Sequence, residues 1–257
     1  MVNAVHLDVL AVAAHPDDAE ITCGGLLIKM AGRGRLTGIL DLTEGEMGTH
    51  GDENDRASEA AKASEVLGLA FRQNASIPDS AVEYNYENKL KIAQVIRDTR
   101  PELVLLPHWM QRHPDHLAAS RLGYDACFLA GLQKVRLAGE PFRPRKIIYV
   151  SYFRNLDYSF LVDISDEFER KIEVVAAYVS QFGSWPDPAQ AVGSSQGRRD
   201  PEPDTRDVFH PGVNIFEFMH TRARQLGQLA GVRYAEAYTI KEHMLIDDPQ
   251  KMPVRSI

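Results

Sequence analysis

The sequence predicts an α/β fold, a Rossmann-like, mostly parallel sheet with helices on both faces and a ligand site at the carboxyl edge of its strands. Two observations carry this expectation. Through the first three quarters of the chain, short apolar runs rich in β-branched residues alternate with longer segments of helical spacing, the pattern of successive βαβ units. Two stretches rich in histidine and aspartate follow such runs, where open α/β sheets bind their ligands.

Taken in order, the first strand is read at 7–14, Leu-Asp-Val-Leu-Ala-Val-Ala-Ala, and a helix follows near 23–32. Strands at 36–42, 69–75 and 102–107 alternate with helices at 53–67, 86–99 and 116–129. Two further strands, 146–152 and 160–164, lead into a helix at 167–181. Residues 183–211 break the rhythm, because Pro186, Pro188, Pro201, Pro203 and Pro211 interleave with Gly, Ser, Asp and Arg, so a long loop is expected. A last helix around 213–230 carries Ile215, Phe216, Phe218, Met219 and Leu226 at helical spacing and stops at Gly231. The tail from Pro249 reads as a poorly ordered terminus, and residues 1–257 as one domain.

Composition narrows the function. The chain of 257 residues is 44% hydrophobic and 25% charged, an ordinary globular balance that excludes a disordered chain. Its formal net charge is −7 with scattered Arg and Lys, so nucleic acid is a poor partner. Only Cys23 and Cys127 are present, which excludes a disulfide scaffold or a four-cysteine zinc site and fits a reducing cytoplasm. No apolar run approaches a membrane span and no basic leader precedes the first strand, so the expectation is a soluble, non-exported protein without membrane contact.

The chemistry concentrates in two places. Ala14-His15-Pro16-Asp17-Asp18 follows the first apolar run directly, and unpaired carboxylates there would be costly to desolvate unless a cation balanced them. His15 and Asp18, three apart on a tight turn, can face one divalent ion and leave Asp17 free to reach water. Arg112-His113-Pro114-Asp115-His116 follows the run ending at Pro107 by a short loop, on the same edge of a parallel sheet. With His116 as third ligand, the set has the count of a catalytic zinc site with an open position. Asp115 and His113 then form a pair in which the carboxylate would raise the imidazole pKa and let His113 serve as acid or oxyanion donor. Taken singly, each stretch also reads as a turn that caps the next helix.

Together, His-Pro-Asp-Asp near the amino terminus and His-Pro-Asp-His about a hundred residues later resemble the PIG-L (LmbE-like) superfamily of metal-dependent N-deacetylases. The stretches Asp41–Thr49, Arg56–Ala60, Asn74–Asp79, Tyr178–Phe182 and Arg222–Glu236 are similar to the branch that deacetylates N-acetylglucosaminyl malate in bacillithiol biosynthesis. This resemblance implies a hydrolase acting on an N-acetylglucosamine conjugate. It implies His15, Asp18 and His116 as metal ligands, Asp17 as general base, and His113 with Asp115 as the assisting pair. Arg56 matches a substrate contact of the family. Arg112 is added as a second guanidinium for an anionic aglycone and Asp79 as a contact to substrate hydroxyls, though a turn aspartate ahead of the next helix reads equally well. Zinc is the expected cofactor, with ferrous iron or another divalent ion as alternatives, and the family suggests a homo-oligomer, trimer or hexamer. Two other readings stand beside it. One is a metal-dependent deacetylase or amidase of another N-acetyl sugar or thiol conjugate. The other is a non-catalytic sugar- or nucleotide-binding module, against which no Gly-x-Gly-x-x-Gly follows the first strand.

Overall fold

In the computed structural model, which describes residues 5–150, 157–183, 214–248 and 250, the alternating pattern resolves into one seven-stranded sheet. The elements run β1 Val9–Ala13, α1 Asp18–Gly32, β2 Thr37–Asp41, α2 Glu53–Leu67, β3 Phe71–Asn74, α3 Tyr86–Thr99, β4 Leu103–Pro107 and α4 Pro114–Ala130. After these come β5 Lys146–Val150, β6 Phe160–Asp163, α5 Phe168–Ala176, α6 Val179–Phe182, α7 Ile215–Ala230 and β7 Ala235–Thr239. The expected loop at 183–211 and the tail from Pro249 lie outside the described residues, apart from Gly183 and Gln250.

Strand order is β3-β2-β1-β4-β5-β7-β6, parallel from β3 to β5, with β7 antiparallel to both its neighbours. The chain winds outward through β2 and β3 and then returns to lay β4 on the other side of β1. The loops after β1 and β4 therefore part company at adjacent strand ends, the switch point at which such sheets bind ligands. Both motif-bearing loops leave from there.

Each strand serves two cores because successive side chains face opposite ways. Leu10 and Val12 of β1 join Leu40, Val104 and Leu106 under α3 and α4, with Ile92, Ile96, Leu122 and Ala126. Val9, Ala11 and Ala13 join Ile39 and Leu105 under α1, α2 and α5, with Leu27, Ala63 and Val174. Close approach of α4 to the sheet depends on Gly123, where a Cβ would stand 2.4 Å from a methyl of Leu106.

The structure differs from the sequence expectation at β7 and α1. Strand β7, Ala-Glu-Ala-Tyr-Thr, is not among the expected strands because alanine and glutamate are poor strand formers, yet Glu236 is fully buried within it. Helix α1 starts at Asp18 rather than near Cys23, and Cys23 itself leaves helical geometry at φ −139°, ψ 16°. That interruption frees the N–H groups of Gly25 and Leu26, which both donate to the Glu236 carboxylate at 2.8 Å. Lys171 of α5, also fully buried, donates to the same carboxylate at 2.7 Å, and Tyr238 Oη donates at 2.6 Å. A Cβ on Gly25 would meet Glu236 Oε1 at 2.9 Å, so the carboxylate's approach requires glycine there. The expected helix at 167–181 likewise splits into α5 and α6 around Tyr178.

Glu236 thus ties α1, α5 and the antiparallel strand together. Glu236→Ala should lower the unfolding free energy by about 3–5 kcal/mol, because it removes the buried carboxylate to which the Lys171 ammonium and two N–H groups donate. Removing the exposed Arg35 that pairs with Asp8 should cost under about 1 kcal/mol. Urea unfolding of the two variants checks this, and equal losses would contradict it.

Candidate active site

The site is built on the N-terminal ends of α1 and α4, which leave adjacent strands. His15 and Pro16 turn the chain out of β1, and Asp17 occupies the N-cap of α1 with φ 109° and ψ −29°. A non-glycine residue at such a φ costs on the order of 1–3 kcal/mol and persists only where surroundings impose it. On the other side, His113 is the N-cap of α4, with Pro114 at the first helical position and the ring Nδ1 accepting the N–H of Asp115 at 3.2 Å.

These loops bring both motifs into one cluster around His15. Its Nδ1 lies 3.2 Å from Asp18 Oδ2, and the same oxygen lies 3.1 Å from His116 Nε2 and accepts the His15 backbone N–H at 2.9 Å. On its far side, His15 Nε2 lies 3.1 Å from Asp79 Oδ1 and 3.3 Å from Asp115 Oδ2. The three rings of His15, His113 and His116 pack with centroids 5.0–5.4 Å apart.

Two triads of donors in this cluster have ligand atoms within 4.8 Å of one another: His15, Asp18 and His116, and His15, His113 and Asp115. Asp115 Oδ2 lies 3.3 Å from His15 Nε2 and accepts the N–H of Ser80 at 2.8 Å, and the hydrogen bond that reaches the His113 ring comes from the Asp115 backbone N–H. A backbone N–H on Nδ1 leaves Nε2 as the ring nitrogen that can carry the proton, and the lowered pKa of His113 favours the neutral ring over the imidazolium expected from an Asp115 pairing.

Electrostatics follow from that packing. Burial works against charge on His15, but Asp115, Asp18 and Asp79 outweigh it and lift its pKa to about 12. Burial works in the opposite direction on Asp18, where His116 and His15 prevail and hold the carboxylate well below its usual range. Asp17 goes the other way: burial pushes it to about 7, Arg56 pulls down and Asp18 adds repulsion. Burial, then the neighbouring His15 and His116, lowers His113. A pKa of about 7 suits Asp17 to exchanging a proton near neutrality.

Arg56 of α2 reaches across to donate to the carbonyl of Pro16 and to Asp17 Oδ2 at 3.2 Å, and it is buried. Its guanidinium pins the backbone at the point where Asp17 adopts positive φ. Arg112 stands exposed on the loop before α4. Asp79 does not face open solvent, since its side chain is only 7% exposed against His15.

A second buried network supports the first turn of α1, and sequence reasoning missed it. Arg72 of β3 makes a two-pronged contact to Asp41 at 2.7 and 3.1 Å, reaches Glu20 at 2.7 Å and donates to Tyr178 Oη at 3.1 Å. Tyr178 Oη donates in turn to Glu20 at 2.6 Å. Glu20 lies two residues after Asp18, so this network fixes the turn that presents Asp17 and Asp18. An arginine inside an otherwise strand-like run was the available signal, because a charge there is tolerated only with partners. Arg72→Met should cost about 3–5 kcal/mol of stability by removing the cation between two buried carboxylates, and Arg72→Lys should recover only part of it because the fork to Asp41 is lost. Denaturant unfolding tests both, and an unchanged midpoint for Arg72→Met would contradict it.

With this geometry in place, comparison with known proteins is specific. The PIG-L family, described as GlcNAc-PI de-N-acetylase, matches residues 10–127, a span that contains both motifs. The diacetylchitobiose deacetylase of Thermococcus kodakarensis is 31% identical over 242 residues, covering 89% of this chain and 80% of that one. The conserved protein TT1542 of Thermus thermophilus has a solved structure that is 39% identical and superposes with a TM-score of 0.78, covering 93% of this chain and 97% of its own. At 18% identity the 4-carboxy-2-hydroxymuconate hydratase GalB of Pseudomonas putida KT2440 shares the fold alone, with a TM-score of 0.73 over 93% of this chain and 98% of that one. This relatedness shows that the chain belongs to the PIG-L family and is an N-deacetylase.

Proposed function

We propose that this protein hydrolyses the N-acetyl group of an N-acetylglucosamine conjugate, with a divalent cation held by His15, Asp18 and His116. The observation that carries the reading is the convergence of these three donors beside Asp17 at the β1/β4 switch point. The donor set fits a cation on its own chemistry: two imidazoles and a carboxylate within ligand reach, in a field negative enough to hold a proton on His15 to about 12. The overlapping triad with His113 and Asp115 fits less well. In that set His15 would use the Nε2 edge already committed to Asp79 and Asp115, and Asp115 is held by Ser80.

A bound cation supplies Lewis-acid polarisation of the amide carbonyl and the attacking water. Zinc is the default occupant, and ferrous iron, manganese or cobalt suit the same ligands. The chain's own groups do the rest. Asp17, kept partly protonated by burial and positioned by Arg56, takes a proton from water as its oxygen attacks the carbonyl carbon. His113, neutral with Nε2–H, donates to the oxyanion. When the C–N bond breaks, the proton held by Asp17 passes to the departing amine, leaving acetate and a free amino sugar.

Resemblance in the stretches around Arg56, Asn74–Asp79 and Tyr178–Phe182 supports N-acetylglucosaminyl malate as the substrate, in bacillithiol biosynthesis. Arg112, exposed on the loop that carries the second motif, is the guanidinium assigned to a malate carboxylate, while Arg56 acts through Asp17. A second reading, a chitobiose-like disaccharide, is supported by the Thermococcus relative, which is a diacetylchitobiose deacetylase. We place the protein in the cytoplasm as a single-domain homo-oligomer, trimer or hexamer. Two free, buried cysteines support a reducing compartment, and among the described residues no helix is long and apolar enough to cross a membrane.

Amine release from N-acetylglucosaminyl malate, diacetylchitobiose and plain N-acetylglucosamine, before and after chelation, tests the reading. Chelator-sensitive release that zinc restores, fastest on the malate conjugate, is expected; undiminished turnover by demonstrably metal-free protein would overturn the metal, and preference for the disaccharide would overturn the aglycone. Asp17→Asn should lower kcat by about 10²–10⁴-fold while the protein still binds its ion. Wild-type turnover in that variant would remove Asp17 from the chemistry.

A further inference from the structure

Asp79 lies in the loop between β3 and α3, far in sequence from both motifs, yet it meets the edge of His15 that faces away from Asp18. Its Oδ1 is 3.1 Å from His15 Nε2, and its Oδ2 accepts the N–H of Met47 at 3.0 Å. The backbone N–H of Asp79 donates to Glu46 Oε1 at 2.7 Å, so the residue is fastened on both sides to the loop after β2. With both carboxylate oxygens engaged and 7% of the side chain exposed, little of it is left to meet a sugar hydroxyl.

The loop is shaped to deliver this contact. Ser76 and Ser80, on either side of Asp79, adopt φ 46° and 61°, a left-handed geometry that serines rarely take. At the second of these, the N–H of Ser80 reaches Asp115 Oδ2 at 2.8 Å, and Asp115 is the other carboxylate on His15 Nε2. One turn therefore places Asp79 and steadies Asp115. A neutral imidazole that ligates through Nδ1 has its one N–H on Nε2, and carboxylates there fix the tautomer and ring plane.

We infer that Asp79, acting with Asp115, is a positioning residue that holds His15 with Nδ1 turned toward Asp18 and the cation site, and that links this ligand to the Glu46–Met47 loop. The inference rests on the cation site proposed above. It assigns Asp79 to the metal ligand's support instead of to the substrate.

Zinc affinity of the full-length protein, measured by competition with a chromophoric chelator, is the test, with KM of the zinc-saturated enzyme as the second readout. Asp79→Ala should weaken zinc by about 10–100-fold with little change in KM. Asp79→Asn, isosteric and expected to fold even if the alanine variant does not, should weaken it less, by under about tenfold, because an amide oxygen still accepts from Nε2–H. Parent-like zinc affinity in both variants, or a rise in KM with unchanged affinity, would overturn the inference. A parent protein that binds no zinc or other divalent ion would overturn the cation site and this inference with it; a parent that binds while Asp79→Ala binds equally overturns the inference alone.

Discussion

The structure is organised around buried negative charge at the β1/β4 switch point. Asp18, Asp79 and Asp115 all come within 3.3 Å of His15, and Asp17 is buried next to them. No core tolerates that concentration of carboxylate without positive charge to match it. The protein provides some of it locally: Arg56 for Asp17, Arg72 for Asp41 and Glu20 just beneath, and the N-termini of α1 and α4, whose dipoles favour anions. What remains is a pocket of imidazole and carboxylate donors in which a divalent cation is the natural counter-charge, and the N-deacetylase activity of the family fits that arrangement.

Much of this was legible in the sequence because motifs and strands coincide. The run ending at Ala14 places His15 at a strand end, and the run ending at Pro107 does the same for His113 to His116, so a parallel sheet brings them together. Where the reading departed from the structure, long-range pairing was responsible. Glu236 is tolerated inside a strand because Lys171 and two freed N–H groups of α1 donate to its carboxylate. Asp115 Oδ2 meets His15, 100 residues away, and the His113 ring two residues away takes the Asp115 backbone N–H at the helix cap. Arg72, Glu20 and Tyr178 come from three separate elements, and local periodicity carries no record of such a meeting.

The likeness to a hydratase shows that the sheet alone does not determine chemistry. Within that sheet the site adds smaller features: the positive φ of Asp17, the guanidinium that pins it, and the pair of carboxylates behind His15. These separate the Asp17 carboxyl, with a pKa of about 7, from the Asp18 carboxylate held well below its usual range, although the two are adjacent in sequence. Division of labour between adjacent aspartates is what a hydrolytic site needs, one group to exchange a proton and one to stay ionised.

The most direct test of this account is a crystal structure of the zinc-loaded protein with anomalous data collected at the zinc edge. The account predicts a single ion per chain ligated by His15, Asp18 and His116, with His15 Nε2 still hydrogen-bonded to Asp79 and Asp115. An ion seated instead among His15, His113 and Asp115, or no anomalous peak in the cluster, would contradict it.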